Sequence, residues 1–292
     1  MSRAARLLVA ALLLAAAACA RPGQRPLRIG SKNFTEQVIL GEIAAQALER
    51  AGVAVERKLD LGGTFVCHRA LVAGELDLYP EYTGTAFTAI LQQKPISDPA
   101  RVRETVAREY RLRWKLAWSP PLGFENTFAL VLRGDRARAL GITKISDLAR
   151  FGDRLRPGFG YEFLERADGF PGLAAAYGLR FAARPVEMDL GLLYPALEQG
   201  KVDVVAGNST DGLIAAMGLV VLEDDRRYFP PYEAAYVARS SAWNYERVRA
   251  ALDPLAGRIT PEAMRRMNAA VDRDRRRPEA VAREFLGGPR GP

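Results

Sequence analysis

One ten-residue pattern occurs twice, 126 residues apart, and it restricts the fold more than any other feature of the chain. Ala70-Leu71-Val72-Ala73-Gly74-Glu75-Leu76-Asp77-Leu78-Tyr79 and Ala196-Leu197-Glu198-Gln199-Gly200-Lys201-Val202-Asp203-Val204-Val205 share the form A-L-x-x-G-x-φ-D-φ-φ, where φ is apolar. Each copy reads as a helix end, a glycine cap and a short strand. Each then runs into a polar turn, Glu81-Tyr82-Thr83-Gly84 in the first and Gly207-Asn208-Ser209-Thr210-Asp211-Gly212 in the second. Two similar α/β lobes would each present such a turn at the carboxyl end of a strand, where open α/β sheets bind ligands. Tyr82 and Asn208 hold the same place in the two copies. Two unrelated βα units share this grammar as well, and that alternative stays open at the level of sequence.

The flanking segments extend the α/β reading. Residues 27–29 predict a strand, 35–50 a helix and 53–59 an alternating strand. Gly62-Gly63-Thr64 leads a helix to residue 72, and 76–79 predicts a strand ending at Pro80. This βαβαβ opening implies a mainly parallel sheet with helices on both faces. Residues 123–132 read as an extended crossover into the second lobe, and Phe229-Pro230-Pro231-Tyr232 as the return. A helix is expected over 145–151 with Ser146 as its N-cap, another after Thr260 (N-cap) and Pro261 (N1), and a last one over 279–285. Tyr194 reads as packing within a helix over 191–197.

The first residues give an address. Arg3 and Arg6 precede an apolar run over 7–14, then alanines to Ala18, then Cys19. That is the charged, apolar and small-residue order of a secretory signal over 1–18, and it is too short for a membrane span. Cys19 after alanines resembles a bacterial lipoprotein box, with Ala16 where leucine is usual. Acylation there would tether the mature chain through residues 19–26 as a linker. Plain cleavage after Ala18 or Ala20 is the alternative. No later stretch has the length of apolar residues that a span needs. Without the signal the net charge drops from +8 to about +6. Much of that excess lies at Arg265, Arg266, Arg273, Arg275, Arg276 and Arg277, interrupted by Asp272 and Asp274 and without interleaved aromatics. A solvated helix face accounts for it better than nucleic acid does.

Cys67 is the one cysteine beyond Cys19, so the mature chain has no internal disulfide. Cys67 and His68, adjacent on a helix, point about 100° apart. They read as a buried cysteine beside a surface histidine rather than a catalytic pair. One histidine and one cysteine make no zinc set, no GxSxG, P-loop or GxGxxG motif is present, and no cofactor is implied.

The segment Ile29-Gly30-Ser31-Lys32-Asn33-Phe34-Thr35-Glu36-Gln37 resembles the start of the osmoprotectant-binding proteins of ABC importers. Further matching blocks are Glu81-Tyr82-Thr83-Gly84-Thr85, Asn126-Thr127-Phe128-Ala129-Leu130, and Glu162 with Arg166 before Asp168-Gly169. The match continues through Asp189-Leu190-Gly191-Leu192-Leu193-Tyr194, Ser209-Thr210-Asp211-Gly212 and Leu222-Glu223-Asp224-Asp225 to Pro230-Pro231-Tyr232. The resemblance implies a type II periplasmic-binding-protein fold: two α/β lobes, mostly parallel sheets and two hinge crossovers. One lobe would comprise 27–124 plus 229–292 and the other 125–228. It implies capture of glycine betaine, choline or carnitine and delivery to an ABC permease, by a monomer in the periplasm or on the outer face of the cell membrane, with no catalysis.

A quaternary ammonium has no hydrogen to donate, so aromatic faces hold it, at about 0.5–2 kcal/mol per desolvated contact. By matching motif, the resemblance makes Tyr82, Phe128 and Tyr232 cage walls. Lys32, Thr85 and Arg166 would serve an anionic tail, with Gln37, Asn126 and Glu162 as polar contacts or orienting groups. Bland readings stand beside these: a surface ion pair for Glu162 and Arg166, core for Phe128, solvation for Lys32. Asn208 departs from the family, which commonly has an aromatic there. Losing one wall removes roughly 1–2 kcal/mol, and an asparagine suits a ligand with N–H or O–H groups. The alternatives are therefore the same fold with an amino acid or polyamine, or an exported sensor or enzyme.

Overall fold

The computed structural model describes residues 25–287. The signal segment, Cys19 and most of the 19–26 linker lie outside the described residues. Among the described residues, ten strands form two five-stranded sheets. The first holds β1 (Leu27–Gly30), β2 (Val55–Lys58), β3 (Leu78–Tyr82), β4 (Leu116–Trp118) and the late strand β10 (Ala234–Arg239), in the order β2-β1-β3-β10-β4. The second holds β5 (Phe128–Arg133), β6 (Pro157–Phe159), β7 (Val186–Glu187), β8 (Val204–Asn208) and β9 (Leu219–Val221), in the order β7-β6-β8-β5-β9.

Each sheet is mixed. β1 pairs in parallel with β2 and β3, and β6 with β7 and β8. The strand arriving from the other lobe, β10 or β5, is antiparallel to both its neighbours. Parallel pairing is thus confined to the βαβ half of each sheet, less than the sequence implied. Apolar clusters cover both faces of each sheet.

The repeated sequence is a repeated structure. Gly74 (φ 76°) and Gly200 (φ 65°) end the preceding helices in the left-handed region, where glycine carries no side-chain penalty. Asp77 accepts from the Arg28 N–H at 3.0 Å and Asp203 from the Arg156 N–H at 2.9 Å. Each aspartate N–H returns a bond to the same arginine's carbonyl, at 2.8 and 2.7 Å. Each guanidinium also reaches the carbonyl of the capping glycine. The two turns consequently end their strands alike, with Tyr82 opposite Ala234 and Asn208 opposite Phe128.

Three long helices of the first lobe are α1 (Thr35–Arg50), α2 (Thr64–Ala73) and α3 (Pro99–Trp114). α1 is buried from Ile39 to Leu48 because α5 (Pro261–Asp272) and α6 (Pro278–Gly287) cover it; α4 (Tyr161–Glu165), between α3 and α5 in sequence, lies in the second lobe. Thr260 caps α5 by accepting from the Ala263 N–H at 3.1 Å, with Pro261 at N1. The C-terminal arginines lie on exposed ends and pair with acids, Arg273 with Asp274 and Arg276 with Glu284.

Several local expectations change. β3 runs through Pro80 to Tyr82 instead of stopping before it. β1 pairs with β3 only at Leu78, so the missing proline N–H costs no bond on that side. Residues 145–150 form a 3-10 helix whose N-cap position is Lys144, not Ser146. Asp147 accepts from the Thr143 and Lys144 N–H groups, while the Ser146 N–H goes to Asp225. His68 is not on the surface: it packs edge-on against Trp114 and Tyr110 at 4.6 and 5.4 Å, and burial pushes its pKa down to about 4. Cys67 is buried, and burial pushes its thiol up to about 12, so it carries no thiolate at neutral pH.

Candidate functional site

The two crossovers run side by side, with Glu125 opposite Glu233 and the Asn126 N–H donating to the Tyr232 carbonyl at 3.1 Å. Beside them opens a cleft of about 470 Å³. Nine of the ten ligand-contact residues expected from the sequence fit this place: Lys32, Tyr82, Thr85, Asn126, Phe128, Glu162, Arg166, Asn208 and Tyr232 line it. Gln37 does not. It is fully buried behind the wall, where its Oε1 accepts from the Lys32 N–H at 3.3 Å and braces the β1–α1 turn.

Aromatic rings surround the cleft. Phe34, missed at the level of sequence, stacks on Tyr82 with centroids 6.4 Å apart. Phe128 meets Tyr232 edge-on at 6.1 Å and Phe163 at 4.9 Å. Phe128 is therefore both the edge of the second lobe's core and a wall of the cleft. Tyr82 and Tyr232 are each at most 4% exposed, and both hydroxyls point away into buried carboxylates.

The cations are buried and paired. Lys32 is 3% exposed, with Nζ 2.5 Å from Glu81 and 5.1 Å from the Tyr82 ring centroid, which overturns the solvated reading. Arg166 binds Asp168 through Nε and Nη2 at 2.9 and 2.6 Å, and Nη2 lies 3.3 Å from the Thr85 hydroxyl. Its Cζ stands 4.9 Å from the Phe128 centroid. Among the described residues its Nη1 has only Glu162 nearby, at 3.7 Å, which leaves donors for an incoming anion. Asp168 also accepts from Thr88 and Tyr232, each at 2.6 Å. Burial opposes its ionisation, but Arg166 and these donors hold its carboxyl below the usual range.

Glu162 does something the sequence did not indicate. It is not a surface partner of Arg166, whose side chain is only 4% exposed. It reaches across the cleft to the first turn of α2, accepting from the Thr64 N–H and, at 3.0 Å, from the Thr64 hydroxyl. A carboxylate at a helix N-terminus satisfies an orphan donor and meets the positive dipole end. Gly63 leaves room for it: a Cβ there would stand 2.2 Å from Glu162 Oε1.

Two further carboxylates lie behind the walls. Glu36 is buried and accepts four bonds: from Tyr82 (2.6 Å), Asn126 (2.8 Å), Thr210 (2.5 Å) and Asn268 (3.1 Å). Its sequence signal was its helical phase, four and seven residues before the buried Leu40 and Ile43. Asp211 sits behind Asn208, accepting from the Asn208 N–H at 2.8 Å and the Tyr194 hydroxyl at 2.5 Å.

Burial pushes the Asp211 carboxyl up to about 6, against the Tyr194 and Asn208 bonds, with Glu36 and Asp272 adding in the same direction. The native state then holds this proton more tightly than the unfolded chain, so stability falls as pH rises from about 4 to about 6. Asp77, Asp168 and Asp203, whose pKa values are lowered, contribute the opposite slope at lower pH. Thermal melts of unliganded protein should therefore give a higher Tm at pH 5 than at pH 7.5, by a few degrees. Asp211→Asn should flatten that difference; an unchanged slope would remove Asp211 as its cause.

Residues 25–288 match the family model for the substrate-binding domain of the ABC-type glycine betaine transport system. The glycine-betaine-binding protein of Pseudomonas aeruginosa is 36% identical over 271 residues, covering 89% of this chain and 86% of that one. The ergothioneine transport permease/ergothioneine binding protein EgtU of Helicobacter pylori is 35% identical over 265 residues, 90% of this chain. The present chain spans about half of that protein's length, 47%. A solved structure of a glycine betaine/carnitine/choline ABC transporter protein is 31% identical, covers 89% of this chain and 97% of its own, and superposes with a TM-score of 0.71.

Proposed function

This chain belongs to the family of substrate-binding domains of ABC-type glycine betaine transport systems, and from that premise we propose that it captures a small zwitterionic quaternary amine between its lobes and hands it to a membrane permease. The observation that carries this is the pairing of aromatic walls with a buried guanidinium in one cleft. Tyr82, Phe128 and Tyr232, joined by Phe34, offer ring faces to an ammonium group, and Arg166 Nη1 with Thr85 offers donors to a carboxylate. The lobes comprise 27–124 plus 229–292 and 125–228, with the hinge in the paired crossovers, and ligand selects the form in which they meet. Export by the 1–18 signal and tethering through an acylated Cys19 place the monomer beside its permease. No bond needs to be made or broken in this role.

A second reading keeps the quaternary amine and enlarges the rest of the ligand. Asn208 replaces the aromatic that the family commonly has, and Ala206 beside it is small, so this end of the cleft carries a polar and a small side chain in place of a ring. A betaine with N–H donors, such as the ergothioneine in the name of the Helicobacter pylori relative, suits that end.

The test is calorimetric titration of protein stripped of ligand by unfolding and refolding. Glycine betaine, choline, carnitine, ergothioneine, amino acids and polyamines form the panel. Micromolar or tighter binding of a quaternary amine supports the proposal; binding only of amino acids or polyamines overturns the ligand class. Asn208→Phe should tighten glycine betaine about tenfold by restoring a wall, and weaken any larger betaine. No gain for glycine betaine would mean that position 208 does not face the ammonium.

A further inference from the structure

The acids packed behind the walls of the cleft fall into two groups. Glu81 and Asp168 each have a cation in contact, Lys32 and Arg166. Glu36 and Asp211 have none: among the described residues no lysine or arginine lies within 4 Å of either carboxylate, and all their donors are neutral. A charge satisfied only by neutral dipoles keeps its long-range field, and in a poorly screened interior that field extends well beyond its first contacts. Both carboxylates stand directly behind the wall positions of the repeated turns, Glu36 behind Tyr82 and Asp211 behind Asn208.

We infer that Glu36, assisted by Asp211, is the counter-charge of the ligand's cationic head, acting through the Tyr82 ring as a positioning and specificity-determining residue. This rests on the quaternary-amine reading given above. Two effects add. The Coulomb attraction from Glu36 favours a cation in the cage over a neutral group of equal shape. The Tyr82 hydroxyl, donating to a carboxylate at 2.6 Å, also moves electron density into the ring and strengthens the negative face that meets the ammonium. Lys32 does not cancel this field, because Glu81 neutralises it at 2.5 Å.

The test separates charge from shape. Tert-butylacetate is the carbon analogue of glycine betaine, with the same three methyl groups and the same carboxylate but no positive charge. Glu36→Gln should weaken glycine betaine about tenfold and leave tert-butylacetate within about twofold, so the preference for the cation drops. Asp211→Asn should act in the same direction, to a smaller extent, and carries the test if the Glu36 variant does not fold. Equal losses for both ligands would overturn the inference and make Glu36 a merely structural residue. If the wild type bound neither compound, the quaternary-amine reading itself would fall, and this inference with it.

Discussion

Asp168→Ala should lower the Tm of the unliganded protein by on the order of 10 °C. The substitution leaves the Arg166 guanidinium in place at 5% exposure and removes its counter-ion, and it strands the Tyr232 hydroxyl, while the Thr88 hydroxyl keeps the Gly84 carbonyl at 2.8 Å. Breaking a buried pair from one side costs about 3–5 kcal/mol. For a chain of this size about 2–4 °C accompany each kcal/mol. Affinity should suffer too, because Asp168 fixes both Arg166 and the Tyr232 ring. A Tm shift under about 2 °C would mean that water reaches the pair and that the cluster is not the rigid floor of the cleft. Asp168→Asn, which keeps the shape but not the charge, should fall between the two.

The second large effect is expected at Gly84. A Cβ there would stand 2.6 Å from the Pro231 carbonyl oxygen and 2.7 and 2.9 Å from two ring carbons of Tyr232. Neither neighbour yields easily. The backbone of the return crossover is tied to the turn by the Thr83 N–H donating to the Glu233 carbonyl at 3.0 Å, and the Tyr232 ring is fully buried. Gly84→Ala should therefore displace a cage wall and the hinge together. Glycine betaine affinity is expected to fall at least tenfold, beside a stability loss of about 1–3 kcal/mol. Calorimetry on the folded variant reads the first and denaturant unfolding the second. Unchanged affinity would show that Tyr232 is no part of the cage.

The legible parts of the chain were those decided over short distances. The limits of α1 and the Thr260–Pro261 start of α5 follow from capping and periodicity, and the structure has them there. The repeated helix–glycine–strand pattern was readable because each copy is written within ten residues, whereas the arginines that bind Asp77 and Asp203 lie 49 and 47 residues upstream. Failures came where a distant neighbour changed the local rule. Pro80 remains inside a strand because β1 stops pairing before reaching it. Ser146 lies inside the 3-10 helix that Lys144 opens, and its N–H is taken by Asp225, 79 residues away. In the cleft, the lining residues were findable through their motifs. The groups that hold them were not, since the donors of Glu36 come from positions 46 to 232 residues away. Gln37 and Glu36 look interchangeable as polar neighbours at the head of a helix, and only the folded environment separates them.

The bond from Glu162 to the start of α2 joins one lobe to the other without involving any cargo. It therefore favours the joined arrangement in empty and loaded molecules alike. Its strength sets a compromise in transport. A firm clasp lengthens the time that cargo stays aboard, but it also raises the share of empty molecules that present a shut face to the permease and spend its ATP on nothing. A single half-buried glutamate beside a glycine is a cheap place for selection to adjust that background.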